Sequence, residues 1–251
     1  MCYSGLAPKH EWWKAISRAL ATVVVCLVLR TAVHAQGGLS LPPYTPASRA
    51  VHSGEYAVLT DPVAAALSLP ALSRVGLPAS WVELRLWIGF GISSPDYLLR
   101  LVSGSRGVTG EAILWWIHPG DFLKEFAEGG TSSFLQDFAG RNGCVDSVAA
   151  GFPPEVQMRA GACVGDFGES APDWHALYDT IVEMKALELP DPSTLRPPPV
   201  LVLDGWSMIV ETLEGSKYRA YEYSNPDAQP WPEARLASAI ANAARAILPG
   251  K

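Results

Sequence analysis

Apart from one short run near its start, this chain lacks the long apolar stretches that cross bilayers. Residues 19–29 are small and apolar over 11 positions, whereas a spanning helix needs about 20. Histidine is also scarce, with five in 251 residues, and only His52, His118 and His175 lie beyond residue 35. His52 falls in a Gly-, Ser- and Pro-rich stretch, and His118 ends a predicted strand with Asp121 close by. His175 precedes Asp179 by one helical turn, where a solvated ion pair is the better account, because no third or fourth ligand follows in sequence. No metal site and no cofactor is assigned.

Catalytic motifs are missing too. The chain has no Gly-x-Ser-x-Gly elbow, P-loop, His-Glu-x-x-His or EF-hand loop. The glycine-rich tracts 104–110 and 161–168 lack the Lys-Ser or Lys-Thr pair of a phosphate cradle and read as loops. Acidic residues suffice for a carboxylate pair of the glycosidase kind, but sequence does not show which two converge. No catalytic residue is named.

Basic residues are outnumbered, 19 against 25 acidic, for a net charge of −6. Residues 1–35 carry four basic residues and one acidic one, so the remainder holds 15 against 24, a net −9. Such a surface repels phosphate backbones, which argues against nucleic-acid binding.

What is present begins with an address. Lys9, Lys14 and Arg18 precede the apolar run, and Val33-His34-Ala35 places short side chains where a signal peptidase reads. This is a secretory signal peptide in outline, with cleavage expected after Ala35 and no stable membrane insertion afterwards. Arg30 and the Trp12-Trp13 pair are unusual in such a segment, and an uncleaved signal anchor is the rival reading. Cys26 follows Val25, where a lipoprotein signal would have a small residue.

Cysteine numbers four, and Cys2 and Cys26 belong to the signal. An exported chain keeping Cys144 and Cys163 most simply pairs them as a disulfide. The bridge would staple a loop rich in glycine and proline, Gly143, Gly151, Pro153, Pro154 and Gly161 among its neighbours. The 22 glycines and 21 prolines of the whole chain predict long ordered loops.

Residues 36–80 read as an N-terminal extension with a short helix at 61–69, and 81–251 as one α+β domain. From 81 to 90, Val82, Leu84, Leu86, Ile88 and Phe90 alternate with Trp81, Glu83, Arg85 and Trp87, the mark of a half-buried strand. Further strands are predicted at 97–102, 111–118, 200–203, 206–213 and 217–223. Residues 103–110 form a hairpin loop, and turns fall at Asp204-Gly205 and Glu214-Gly215. Residues 119–171, with two similar Phe-containing helical turns at 122–127 and 134–139, form a disulfide-stapled excursion from the sheet.

Two principal helices are expected at about 172–187 and 232–248. Trp174, Leu177, Tyr178 and Ile181 stripe the first, with Ser170 and Asp173 as a capping box. Leu236, Ile240, Ala243, Ala244, Ile247 and Leu248 stripe the second. The fold class is therefore α+β, a mainly antiparallel sheet of about five to six strands with both helices on one face.

The candidate site is the polar side of that sheet. Glu83, Arg85 and Trp87 share it, with Arg100, Glu111, Glu211, Arg219 and Tyr221 on other strands. The bland account is cross-strand ion pairing; the functional account is a recognition face, because Tyr, Trp and Arg anchor interfaces. The function expected is an exported non-catalytic domain, accessory or inhibitory, that binds a protein or envelope component. The alternatives are a hydrolase using carboxylates in a cleft between sheet and excursion, and a structural envelope protein held by its N-terminus.

Overall fold

The computed structural model describes residues 41–46, 57–89, 96–119, 144–148, 158–165, 171–197, 199–202 and 205–247. The signal-like segment, His52, Asp121, both Phe-containing turns, Ser170 and Asp204 lie outside the described residues. The elements run β1 (Thr45–Pro46), α1 (Ala57–Ala66), β2 (Val75–Gly76), β3 (Val82–Gly89), β4 (Asp96–Gly104) and β5 (Gly107–Pro119). They continue with β6 (Cys144–Val148), β7 (Met158–Val164), α2 (Trp174–Glu183), β8 (Ser207–Glu214), β9 (Lys217–Ser224) and α3 (Pro232–Ala246).

Seven strands pair antiparallel in the order β6-β7-β5-β4-β3-β8-β9, and β1 pairs with β2 as a separate ribbon. The α+β class and antiparallel pairing agree with the alternation in sequence. The strand count exceeds the expected five to six because β6 and β7, inside the stretch read as an excursion, extend the sheet beyond β5. Their signal is weak: Met158-Arg-Ala-Gly-Ala-Cys-Val has little β propensity of its own and is held by neighbours on both sides. The register sets Cys144 directly opposite Cys163.

Two local expectations fail. The loop at 103–110 shrinks to a turn at Ser105-Arg106, with Gly104 opposite Gly107 and Gly107 at φ +100°. The strand expected at 200–203 does not form over the described residues 200–202; the side chain of Gln229 instead holds the Val200 N–H and C=O at 2.8 and 3.1 Å.

One face of the sheet presents Leu84, Leu86, Ile88, Leu99, Leu101, Met208, Val210, Tyr221 and Tyr223 to α2 and α3. Asp173 caps α2 by accepting the Ala176 N–H at 3.0 Å, and the Trp174, Leu177, Tyr178 and Ile181 stripe packs inward. On α3 the buried stripe is Ala234, Ala237, Ile240, Ala241 and Ala244, while Leu236 is exposed. The expected stripe is thus rotated, because small residues let the helix approach the sheet closely.

The second face is covered as well. α1 packs on β5, β6 and β7. Leu72 and Leu77 cluster with Leu213, Tyr44, Val75, Trp81 and Tyr218 at the β8–β9 end. The described residues of the stretch read as an extension thus pack on the sheet, and β3, β4 and β8 are buried on both faces. Among the described residues, no helix is long and apolar enough to cross a membrane.

Candidate functional site

Register brings most of the candidate residues together. Glu111, Arg100, Arg85 and Glu211 stand directly opposite one another across β5, β4, β3 and β8. Because side chains alternate, all four share the second face with Glu83 and Trp87. Two arginines side by side repel, and Glu83 resolves the conflict. Its Oε1 accepts from Arg85 Nε at 2.9 Å and from Arg100 Nε at 2.8 Å, while its Oε2 accepts from the Tyr44 hydroxyl. Arg100 also donates to Glu111 Oε2 at 2.5 Å and to the Tyr44 oxygen at 3.3 Å. Arg85 Nη1 donates to the Pro70 carbonyl at 3.0 Å, and its Nη2 has no hydrogen-bond partner among the described residues.

Glu211 occupies a different setting. Its oxygens accept from Trp87 Nε1 at 2.6 Å and from the Tyr218 hydroxyl at 2.9 Å. Trp87 meets Trp115 edge-on at 5.7 Å. Glu83, Arg85, Arg100 and Glu211 are each no more than 4% exposed.

These surroundings push the two carboxylates apart. For Glu83, burial works to raise the pKa, but Arg85 and Arg100 together outweigh it and hold the group below the ordinary carboxylate value. For Glu211, burial wins and the pKa is raised, with Arg85, Trp87 and Tyr218 offsetting only part. Burial, then the Glu83 charge, lifts Tyr44 to about 12. Burial and then Glu211 raise Tyr218. Both arginines are held charged: burial opposes this, and their carboxylate partners overcome it.

Arg219 and Tyr221 do not join this cluster. They lie on the helix face, where Arg219 donates to the Leu187 carbonyl at 3.0 Å and to the Leu189 carbonyl. Tyr221 donates to the Ala186 carbonyl at 2.5 Å, and Tyr223 to the Pro190 carbonyl at 3.0 Å. These side chains tie down the chain leaving α2. The reason is arithmetic: Gly215 and Ser216 make a two-residue turn, so Glu211 faces Ala220, and even-numbered β9 residues share its face. Tyr44 and Tyr218 were the residues missed. Tyr218 was legible from that parity; Tyr44, within Pro-Pro-Tyr-Thr-Pro, carries no local signal beyond being aromatic.

The candidate face is therefore a buried network and not an open surface. An open concavity lies elsewhere, a groove of about 500 Å³ between β9 and the proline-rich 192–199 segment, lined by Glu222, Ser224, Pro192, Leu195, Arg196 and Trp231 among others. His175 Nδ1 lies 3.0 Å from Asp179 Oδ2, both side chains exposed, and no metal-binding group of three or more ligands occurs among the described residues. Comparison with family models, with curated proteins and with solved structures gives no match for this chain.

Proposed function

We propose that this protein is an exported, non-catalytic domain that binds a protein or envelope component. The observation that carries the reading is the disposition of its charged groups. Glu83, Arg85, Arg100 and Glu111 are bound to one another and to Tyr44 of the N-terminal layer, whereas the open groove is lined by proline, serine, leucine and tryptophan with one glutamate and one arginine. That arrangement suits recognition by shape and hydrogen bonding. Export rests on the signal-like segment ending at Ala35. A Cys144–Cys163 bridge fits that destination: residues directly opposite in an antiparallel pair stand within disulfide reach, and Cys163 is not a free thiol.

Fractionation of the natively expressed protein, with intact mass and crosslinking, tests this reading. A mass beginning at Gln36, two hydrogens light and crosslinked to a defined partner, is expected. A full-length membrane-bound species, or an exported protein without a partner, would overturn it.

A carboxylate hydrolase is the second reading, and one observation favours it. Glu83 and Glu211 are pushed to opposite sides of the ordinary carboxylate pKa, as acid and base pairs are. Glycoside or ester hydrolysis abolished in a folded Glu211→Gln variant would establish it.

A further inference from the structure

The groove has two charged lining residues, one on each side. Glu222 belongs to β9, and Arg196 belongs to the proline-rich 192–199 segment. Glu222 accepts from the Ser224 hydroxyl at 2.8 Å. Among the described residues, no ion pair joins it to Arg196, and Arg196 itself has no hydrogen-bond partner. A carboxylate and a guanidinium left apart across one concavity can each take a group of opposite charge from a ligand.

The remaining lining is mostly apolar. Pro192, Leu195 and Pro197 form the outer wall, with Trp231 beside them. That wall is fixed: Trp231 Nε1 donates to the Pro197 carbonyl at 2.6 Å, and Gln229 holds Val200. A volume of about 500 Å³ is more than one amino acid fills and is typical of sites for small ligands.

The strand side adds unpaired backbone. β9 is the last strand of the sheet. In a hairpin closed by two residues, the pair flanking the turn is hydrogen-bonded and the pattern alternates from there. Glu214 and Lys217 flank this turn, so Tyr221 and Tyr223 turn their backbone groups toward β8 and Glu222 turns its own outward. The Ser224 carbonyl, in the same phase, accepts from Gln229 Nε2 at 2.9 Å. Among the described residues, no hydrogen bond reaches the Glu222 N–H or C=O. Beside its carboxylate, Glu222 therefore offers one donor and one acceptor to a peptide unit.

Charge decides what kind of ligand fits. A cationic ligand gains Glu222 but meets Arg196, and an anionic one meets the reverse. Arg219 does not tip the balance, because it is committed to the carbonyls of Leu187 and Leu189. A molecule carrying one charge of each sign at its two ends, with an apolar body and an amide between them, satisfies the whole lining.

We infer that the groove between β9 and the 192–199 segment binds a short apolar peptide with both termini free, its ammonium group toward Glu222 and its carboxylate toward Arg196. This goes beyond the partner reading above, which requires no such ligand.

Titration calorimetry of the purified protein with alanyl-leucyl-alanine tests it. The free tripeptide is expected to bind, and acetylating its amino end or amidating its carboxyl end to weaken binding at least about tenfold each. Free leucine, lacking the peptide units, is expected to bind at least about tenfold more weakly than the tripeptide. In Glu222→Gln the acetylation penalty should vanish while the amidation penalty persists, and Arg196→Gln should give the converse. The capped peptides leave the protein untouched, so they decide the matter even if a variant fails to fold. No binding, equal binding of free and capped peptides, leucine binding as tightly as the tripeptide, or a capping penalty undiminished in its matching variant would each overturn the inference. A defined partner crosslinked to the exported protein alongside such a result would leave the partner reading standing and remove the peptide site alone.

Discussion

At the scale of single residues, the second face of the sheet is governed by the cost of burying charge. Arg85 and Arg100 stand directly opposite each other, an unfavourable pair without Glu83 between them. A buried ion set of this kind adds little over a well-packed apolar one, yet removing one member leaves uncompensated charge behind. Glu83→Ala is accordingly expected to destabilise by about 3–5 kcal/mol, read from the denaturant midpoint. Tyr44→Phe strips only a hydroxyl, leaving Glu83 Oε2 and Arg100 each short of a bond. A loss of about 1–3 kcal/mol is expected, and an unchanged midpoint would show that Tyr44 is peripheral to the cluster. The two carboxylates also give stability opposite pH slopes. Glu211 has a raised folded pKa, so it binds its proton more tightly folded than unfolded, and stability rises as pH falls through that raised value toward 4.5. Glu83 has a lowered one, so the stability it lends above 4.5 is lost as pH falls through its folded pKa. Denaturation measured across acid pH should therefore show a rise and then a fall, and Glu211→Gln should abolish the rise alone.

Among the elements, docking of α2 depends on an absent side chain. A Cβ at Gly110 would sit 2.2 Å from the Trp174 ring, so the indole sits this close to β5 only because residue 110 is glycine. Gly110→Ala is expected to lower stability by about 1–3 kcal/mol through overpacking and to change the near-ultraviolet dichroism of the tryptophans. The chain after α2 is held by β9, whose Arg219, Tyr221 and Tyr223 bond the carbonyls of Ala186, Leu187, Leu189 and Pro190. The reading of Arg219 as a recognition residue on the polar face is thereby corrected, since it stands on the other side of the sheet. Arg219→Ala should loosen this segment, seen as faster hydrogen exchange across α2, at a cost of about 1.5–3 kcal/mol for bonds from a charged donor. Element types in this region were legible: β3, β8, β9, α2 and α3 all follow their periodicity. β6 and β7 were not, because Asp146-Ser147 and the consecutive Ala160-Gly161-Ala162 carry no hydrophobic period, and these stretches become strands by pairing, β7 with β5 and β6 with β7.

For the molecule as a whole, the sheet lies between two covers of different origin, the helices α2 and α3 on one face and, among the described residues, 41–46 and 57–77 on the other. A Cys144–Cys163 bridge would tie β6 to β7 at the sheet's far edge. Reduction is then expected to lower stability by about 3 kcal/mol while leaving the far-ultraviolet signal of the sheet unchanged, and an unaltered melting curve would show the cysteines unbridged. Sequence by itself determined the α+β class, the strand periods, the presence of α2 (though not that Asp173 is its N-cap) and the assignment of Glu83, Arg85 and Trp87 to one side of β3. Those features depend on neighbours a few residues apart, which a linear reading contains. Only the tertiary structure decided that Tyr44, 39 positions before Glu83, closes the ion cluster, that the polar face is buried, and that the open groove lies against β9. Each of these depends on which distant segment covers which face, and burial, the quantity that separates a recognition surface from an internal ion network, is a property of the assembled layers and not of any stretch of chain.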